Sequence, residues 1–223
     1  MGSAIVGRSW IIIVMMMLCR PALAQGDHPV FLEAQGVVVI EAESTASDPG
    51  DWEGKKTVEG FTGEGHIEFT GNRPAGGDPG TQLVYYFKVT TPGTYQLFLR
   101  GHKRLAGEAP DKCNDCYVRV EGRYGAPDDA GDEHGDNARL ATLRQDTKLY
   151  GGSDRGWGWA SQLDLGGHNN KRNARYVFRA GQTYALAVSG RSQRFNLDRI
   201  VFVHEDADER EAKAPETAES DRD

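Results

Sequence analysis

Glu41 and Glu43 stand at the end of an apolar run, Val37-Val38-Val39-Ile40, and Asp198 stands inside a second one, Phe195 to Phe202. An unpartnered charge beside a core costs on the order of several kcal/mol, so such acids are paired or metal-bound. Side chains alternate along a strand, which puts Glu41 and Glu43 on one face. If the first and last strands meet, Glu41, Glu43 and Asp198 converge on one hard cation, and calcium suits an all-oxygen set of this kind. The competing reading leaves the two glutamates solvated and pairs Asp198 with Arg199 or another arginine.

Other residues with chemical potential give weaker signals. Cys113-Asn114-Asp115-Cys116 is a C-x-x-C pair. In an exported chain it is expected to be a local disulfide between Cys113 and Cys116. Zinc would need two further ligands at suitable spacing, and a thioredoxin-like site would need a helix where Tyr117-Val118-Arg119-Val120 reads as a strand. The acidic stretch Asp128 to Asp136 lacks the ligand spacing of an EF-hand loop and is expected to be a solvated loop. No G-x-S-x-G or H-E-x-x-H occurs. No pair of carboxylates is fixed across a cleft as glycoside hydrolysis would require. The expectation is a protein that is not an enzyme.

The elements that must position these residues are short strands. Candidates are 30–33, 37–43, 65–69, 82–89, 94–100, 116–121, 157–165, 174–178, 183–189 and 195–203. Tyr85, Phe87 and Val89 alternate, as do Tyr95, Leu97 and Leu99, and again Tyr184, Leu186 and Val188. Thr91-Pro92-Gly93-Thr94 and Arg179-Ala180-Gly181-Gln182 read as turns between antiparallel neighbours. About ten antiparallel strands punctuated by turns predict an all-β sandwich. The stretch 122–155, rich in Gly and Asp, is expected to be an irregular insertion at one end.

Arg8, the apolar run Trp10 to Leu18 and Ala22-Leu23-Ala24 form a secretory signal peptide, 1–24. The run is too short to span a membrane. The folded domain is expected over 25–204, with a periplasmic or extracellular destination. The remaining 205–223 holds nine acidic and three basic residues and carries most of the net charge of −7. It is expected to be a disordered acidic tail. The domain itself is close to neutral, which gives no electrostatic case for nucleic acid.

Four blocks in register resemble carbohydrate-binding modules of families 6 and 35. They are Ile40-Glu41-Ala42-Glu43, the stretch from Gly60 to Phe69, the hairpin from Pro92 to Arg100, and Phe195-Asn196-Leu197-Asp198-Arg199-Ile200. They cover nearly the whole domain. The resemblance implies a galactose-binding-domain-like jelly-roll sandwich with a structural calcium held by Glu41, Glu43 and Asp198. It also implies a saccharide site in the loops at one end and no catalysis.

By the same resemblance, Trp157 or Trp159 supplies the stacking platform and Asn196 a polar contact. A pyranose offers an apolar face that stacks on an indole, while its hydroxyls need directed partners. His66 stands where the family often has a tyrosine or tryptophan. Arg191 and Arg194, just before Asn196, would suit an acidic or sulfated sugar; the alternative reading makes them surface charges paired with nearby acids. The implied partner is a polysaccharide or oligosaccharide. The alternative is a protein-interaction, cell-surface or matrix domain on the same fold.

Overall fold

The computed structural model describes residues 28–127, 140–165 and 171–223. The expected signal peptide and the acidic stretch Asp128 to Asp136 lie outside the described residues.

Fourteen strands form two sheets among the described residues. The first sheet runs in the order β1 (Val30–Leu32), β5 (Gln82–Val89), β13 (Gln182–Gly190), β7 (Asp115–Glu121), β8 (Thr147–Tyr150), β10 (Gln162–Asp164) and β11 (Lys171–Asn173). The second runs β12 (Arg175–Phe178), β6 (Gly93–Lys103), β14 (Phe195–His204), β4 (His66–Phe69) and β3 (Trp52–Lys55), with β2 (Val37–Glu41) on β14 and β9 (Gly158–Ala160) on β6. The expected β-sandwich is therefore the fold. Pairing is antiparallel throughout except between β1 and β5, which run parallel with Phe31 opposite Phe87.

The alternating residues face inward as expected. Tyr85, Phe87, Val89, Tyr95, Leu97, Leu99, Tyr184, Leu186 and Val188 all belong to one buried cluster. At its centre the Phe87 and Phe202 rings stack at 4.5 Å. Each such side chain contributes about 1.5–3 kcal/mol by leaving water, so the two inner faces hold the sheets together.

Strand β14 is buried at every residue. Phe195, Leu197, Ile200 and Phe202 face the central core. Val201 and Val203 face the other way, with Val39 and Phe98, and need a cover of their own. The segment after β14 supplies it, and this corrects the expectation of a disordered tail at 205–223. Ala207 and Ala212 pack on the outer apolar patch, and a short helix, Glu209–Ala212, is capped by Asp208. The Lys213 ammonium sits 4.4 Å from the Phe98 ring centre. Beyond it the chain runs along β1 and β2. Leu32 N–H donates to Asp221 O at 2.8 Å, and Ser220 N–H to Val39 O at 2.9 Å. Its small, charged residues cannot build a core, but backbone groups and alanines suffice to cover one already made.

Two further expectations are corrected. The stretch 122–155 is not irregular throughout: it contains β8, and Tyr124, Leu143 and Leu149 are buried. Cys113 and Cys116 are free thiols, both buried. Cys113 lies before the strand that carries Cys116 and has a φ of +56°. Burial, with the Asp115 charge, drives the Cys116 thiol well above its usual range, so it is an inert core residue.

Candidate functional site

The site is built where β14 changes partner. On one edge β14 pairs first with β4, Asn196 opposite Glu68, and then with β2, Arg199 opposite Glu41. Asp198 falls between, at a register shift relative to β6. Such irregularities re-aim side chains. Here the shift brings the Asp198 carboxylate to the loop 60–65, where Thr62 N–H donates to its Oδ1 at 3.0 Å.

The three predicted carboxylates do approach one another around this loop. Thr62 Oγ1 donates to Glu41 Oε2 at 2.7 Å and lies 3.1 Å from Asp198 Oδ2. Glu43 Oε1 accepts from the N–H groups of Glu64 and Gly65 at 2.7 and 3.0 Å. Gly63 is wedged between the glutamates at φ +62°: a Cβ there would lie 2.5 Å from Glu43 Oε1 and 2.9 Å from Glu41 Cγ.

The carboxylates are not, however, a free ligand set. Arg199 forks onto Glu41 Oε1, with Nε at 3.0 Å, and Arg100 pairs with Asp198 Oδ2. Glu41, Asp198 and Arg199 are at most 5 % exposed. Arg199 Nη1 also donates to the carbonyls of Thr217 and Ala214, at 2.9 and 3.3 Å, and so ties the C-terminal segment to the pair. Burial, with a smaller contribution from Glu41, raises the Glu43 carboxyl, and one of its oxygens has no partner. Burial likewise raises Asp198, partly offset by Arg100 and Thr62. No three His, Cys, Asp or Glu side chains among the described residues are grouped to hold one metal ion. In this arrangement the residues do not fit the expected calcium: two guanidinium groups already supply the opposing charge, and a cation would have to displace them.

Around the corner of the same loop lies a polar–aromatic cluster. His66 opens β4 and is 0 % exposed. Its ring sits 5.2 Å from Trp157, edge-on, and 6.1 Å from Phe61. Neither ring nitrogen has a well-formed hydrogen bond; the Asn196 amide is the side-chain partner nearest to making one. Burial lowers its pKa, partly offset by Glu68, so the ring is neutral at pH 7. Asn196 lies beside it, also fully buried. Its Nδ2 donates to Arg194 O at 3.0 Å, and its Oδ1 likewise has no well-formed hydrogen bond. Trp157 is half-buried in the loop before β9, with its Nε1 donating to Glu59 O at 3.1 Å. The Arg100 guanidinium lies 5.5 Å from the Trp157 ring centre, and the His102 ring 5.9 Å away. Behind them, the bidentate Arg104 pair outweighs the effect of burial and holds Glu68 below its usual range. A shallow hollow of about 240 Å³ opens beside His66, bounded by Gly54, Lys55, Gly65 and Glu43.

The structure thus brings together His66, Trp157 and Asn196 and separates two other predicted site residues. Trp159 lies on β9 opposite Arg100 and packs with the outer cluster under the C-terminal segment, 5.8 Å from Lys213 Nζ. Trp157 escapes that face because β9 begins only at Gly158, so strand alternation does not extend back to it. Arg191 is held by Asp115 at 2.5 Å and by Tyr117 OH at 3.0 Å, away from the indole. Phe61, Arg100 and His102 were not foreseen. His102 had a local signal, a histidine at the end of an alternating strand, but nothing in its neighbours pointed to Trp157.

No family model matches the sequence, and no curated protein matches it. Solved structures similar to the chain include family 6 and family 35 carbohydrate-binding modules, and larger enzymes of which the chain spans less than a third. One is the GH26-CBM35 β-(1,4)-mannanase of Podospora anserina, with 12 % identity and a TM-score of 0.46 over 78 % of this chain and 29 % of that one. A family 35 module from an environmental isolate shows 16 % identity and a TM-score of 0.43, covering 75 % and 93 %. The C-terminal family 6 module of LamC from Zobellia galactanivorans shows 15 % identity and a TM-score of 0.41, covering 75 % and 98 %.

Proposed function

We propose that this chain is a secreted, non-catalytic saccharide-binding protein whose site is the His66–Trp157–Asn196 cluster. One observation carries the reading. His66 and Asn196 are buried side by side next to the half-buried Trp157 indole; the imidazole contacts the Asn196 amide, which leaves at least one His66 ring nitrogen without a partner. A buried unsatisfied polar group costs about 1–3 kcal/mol, so it persists where something else satisfies it. A sugar is suited to do so, stacking its C–H face on Trp157, with its hydroxyls reaching the imidazole and the amide once the indole shifts to uncover them.

Neutral His66 offers one donor and one acceptor, which suits hydroxyls. Binding fits the geometry better than turnover does. Glu68 and Asp198 are buried and each is held by an arginine, whereas hydrolysis needs two carboxylates facing a cleft. No helix among the described residues is long and apolar enough to cross a membrane. The test is a polysaccharide panel by affinity electrophoresis with the wild type and Trp157→Ala. Retardation by one glycan class, lost in the variant, supports the reading. Equal retardation of both proteins, or none of either, removes it.

A further inference from the structure

A second cleft lies on the first sheet, at the end of β8 and β10, with a volume of about 480 Å³. That is within the range of small-ligand sites. Tyr150, the last residue of β8, stands in it opposite Asp115 on β7 and Gln162 on β10. Its ring is half-exposed, but its hydroxyl is buried and has no hydrogen-bond partner. Two ammonium groups flank that ring: Lys148 Nζ lies 5.1 Å and Lys171 Nζ 5.0 Å from its centre. Lys148 is paired with Asp164 at 2.6 Å, and Arg191 with Asp115. Lys171 is exposed and forms no ion pair with an acid among the described residues. Four basic and three acidic side chains line the cleft, an excess of one positive charge.

From this geometry we infer that the cleft is a binding site for the anionic group, a carboxylate or a sulfate, of an acidic saccharide. The unpartnered Tyr150 hydroxyl, uncovered as the anion enters, donates to one of its oxygens, and Lys171 supplies the charge. Burial raises the Tyr150 phenol, so it remains a donor at neutral pH. The hydroxyl fixes where the anion sits, and the exposed edge of the half-buried ring gives a sugar ring its apolar contact. The neighbouring salt bridges, Arg191–Asp115 and Lys148–Asp164, hold the walls in place.

The saccharide part of this inference rests on the proposed function; the anion site does not. The test is NMR titration of the protein with glucuronate, a sulfated monosaccharide, neutral glucose and inorganic sulfate, repeated with Tyr150→Phe, Lys171→Ala and Trp157→Ala. The expected result is saturable shifts near Tyr150 and Lys171 with glucuronate or the sulfated sugar, weaker ones with inorganic sulfate and none with glucose. Losing one hydrogen bond to a charged group weakens binding about tenfold or more, so Tyr150→Phe falls by that factor while its spectrum stays folded. In Trp157→Ala the shifts at Tyr150 and Lys171 keep their wild-type saturation curve. Glucose binding as well as glucuronate would overturn the charge reading, and inorganic sulfate binding equally well would overturn the saccharide reading. Binding lost in Trp157→Ala but kept in Tyr150→Phe, or no saturable shift at all, would overturn the site. If glucuronate binds here while no panel polysaccharide responds to Trp157→Ala, the proposed function fails and this site stands.

Discussion

Replacing Arg199 by methionine tests the charge network that joins the two ends of the domain. Arg199 and Glu41 are 3 % and 5 % exposed, and the guanidinium also serves two carbonyls of the C-terminal segment. Methionine fills much of the same volume, so little of the loss comes from a cavity. What remains is a buried Glu41 charge stripped of its partner, at a cost of about 3–5 kcal/mol. For a domain of this size each kcal/mol moves the midpoint by about 2–4 °C, giving a fall of about 6–20 °C in Tm. Thermal unfolding of wild type, Arg199→Met, Glu41→Gln and the double variant closes a double-mutant cycle. The double variant recovers part of the loss, because it no longer buries a charge. A single variant melting with the wild type, or a double variant equal to the sum of its parts, would refute the reasoning. In the same experiment, wild type melts at one temperature in calcium and in chelator, since Arg100 and Arg199 already oppose the carboxylates.

Three other outcomes follow from the structure. Removal of 205–223 bares Val39, Phe98, Val201 and Val203 on the outer face; the truncated protein binds a hydrophobic dye and unfolds at lower denaturant than wild type. Gly63→Ala meets both the Glu41 and Glu43 side chains and a φ of +62°, so it loses more than about 1 kcal/mol in chemical denaturation. His66 has a folded pKa below its unfolded value, so the unfolded chain takes up the proton first on acidification. Its contribution to stability is complete above about pH 6.5 and declines as pH falls from there toward the folded pKa. Stability measured from pH 7.5 to 5.5 therefore drops in wild type, and the slope is shallower in His66→Gln.

The strands were legible where two opposed faces differ in polarity. Gln82–Val89 matches its expected bounds, and the strand at Phe195–His204 extends one residue further. Of the strands that escaped notice, two are short and polar at sheet edges, Trp52-Glu53-Gly54-Lys55 and Lys171-Arg172-Asn173, while Thr147–Tyr150 lies inside the sheet but is only four residues long. At sheet edges backbone pairing demands no apolar alternation. The C-terminal segment was misread from composition because its order comes from main-chain bonds to β1 and β2. One signal was present. Ile200-Val201-Phe202-Val203 is apolar on both faces, which requires a cover on each side. At the site, the acids were legible as residues out of place in strands, but their partners were not. Glu41 and Arg199 stand 158 positions apart, and Arg100 and Asp198 stand 98 apart. Only the pairing of strands from distant parts of the chain creates those contacts. Trp157 and Trp159 show the same limit, since the strand boundary between them decides which indole reaches His66.

The central claim is tested most directly by NMR titration of the protein with whichever polysaccharide the panel selects, or with its oligosaccharide, following the Trp157 indole N–H and the His66 ring. The account predicts saturable shifts at both, and their loss in Trp157→Ala while the core methyl spectrum is unchanged. Saturable binding that leaves both resonances unmoved, or that survives intact in Trp157→Ala, would contradict it.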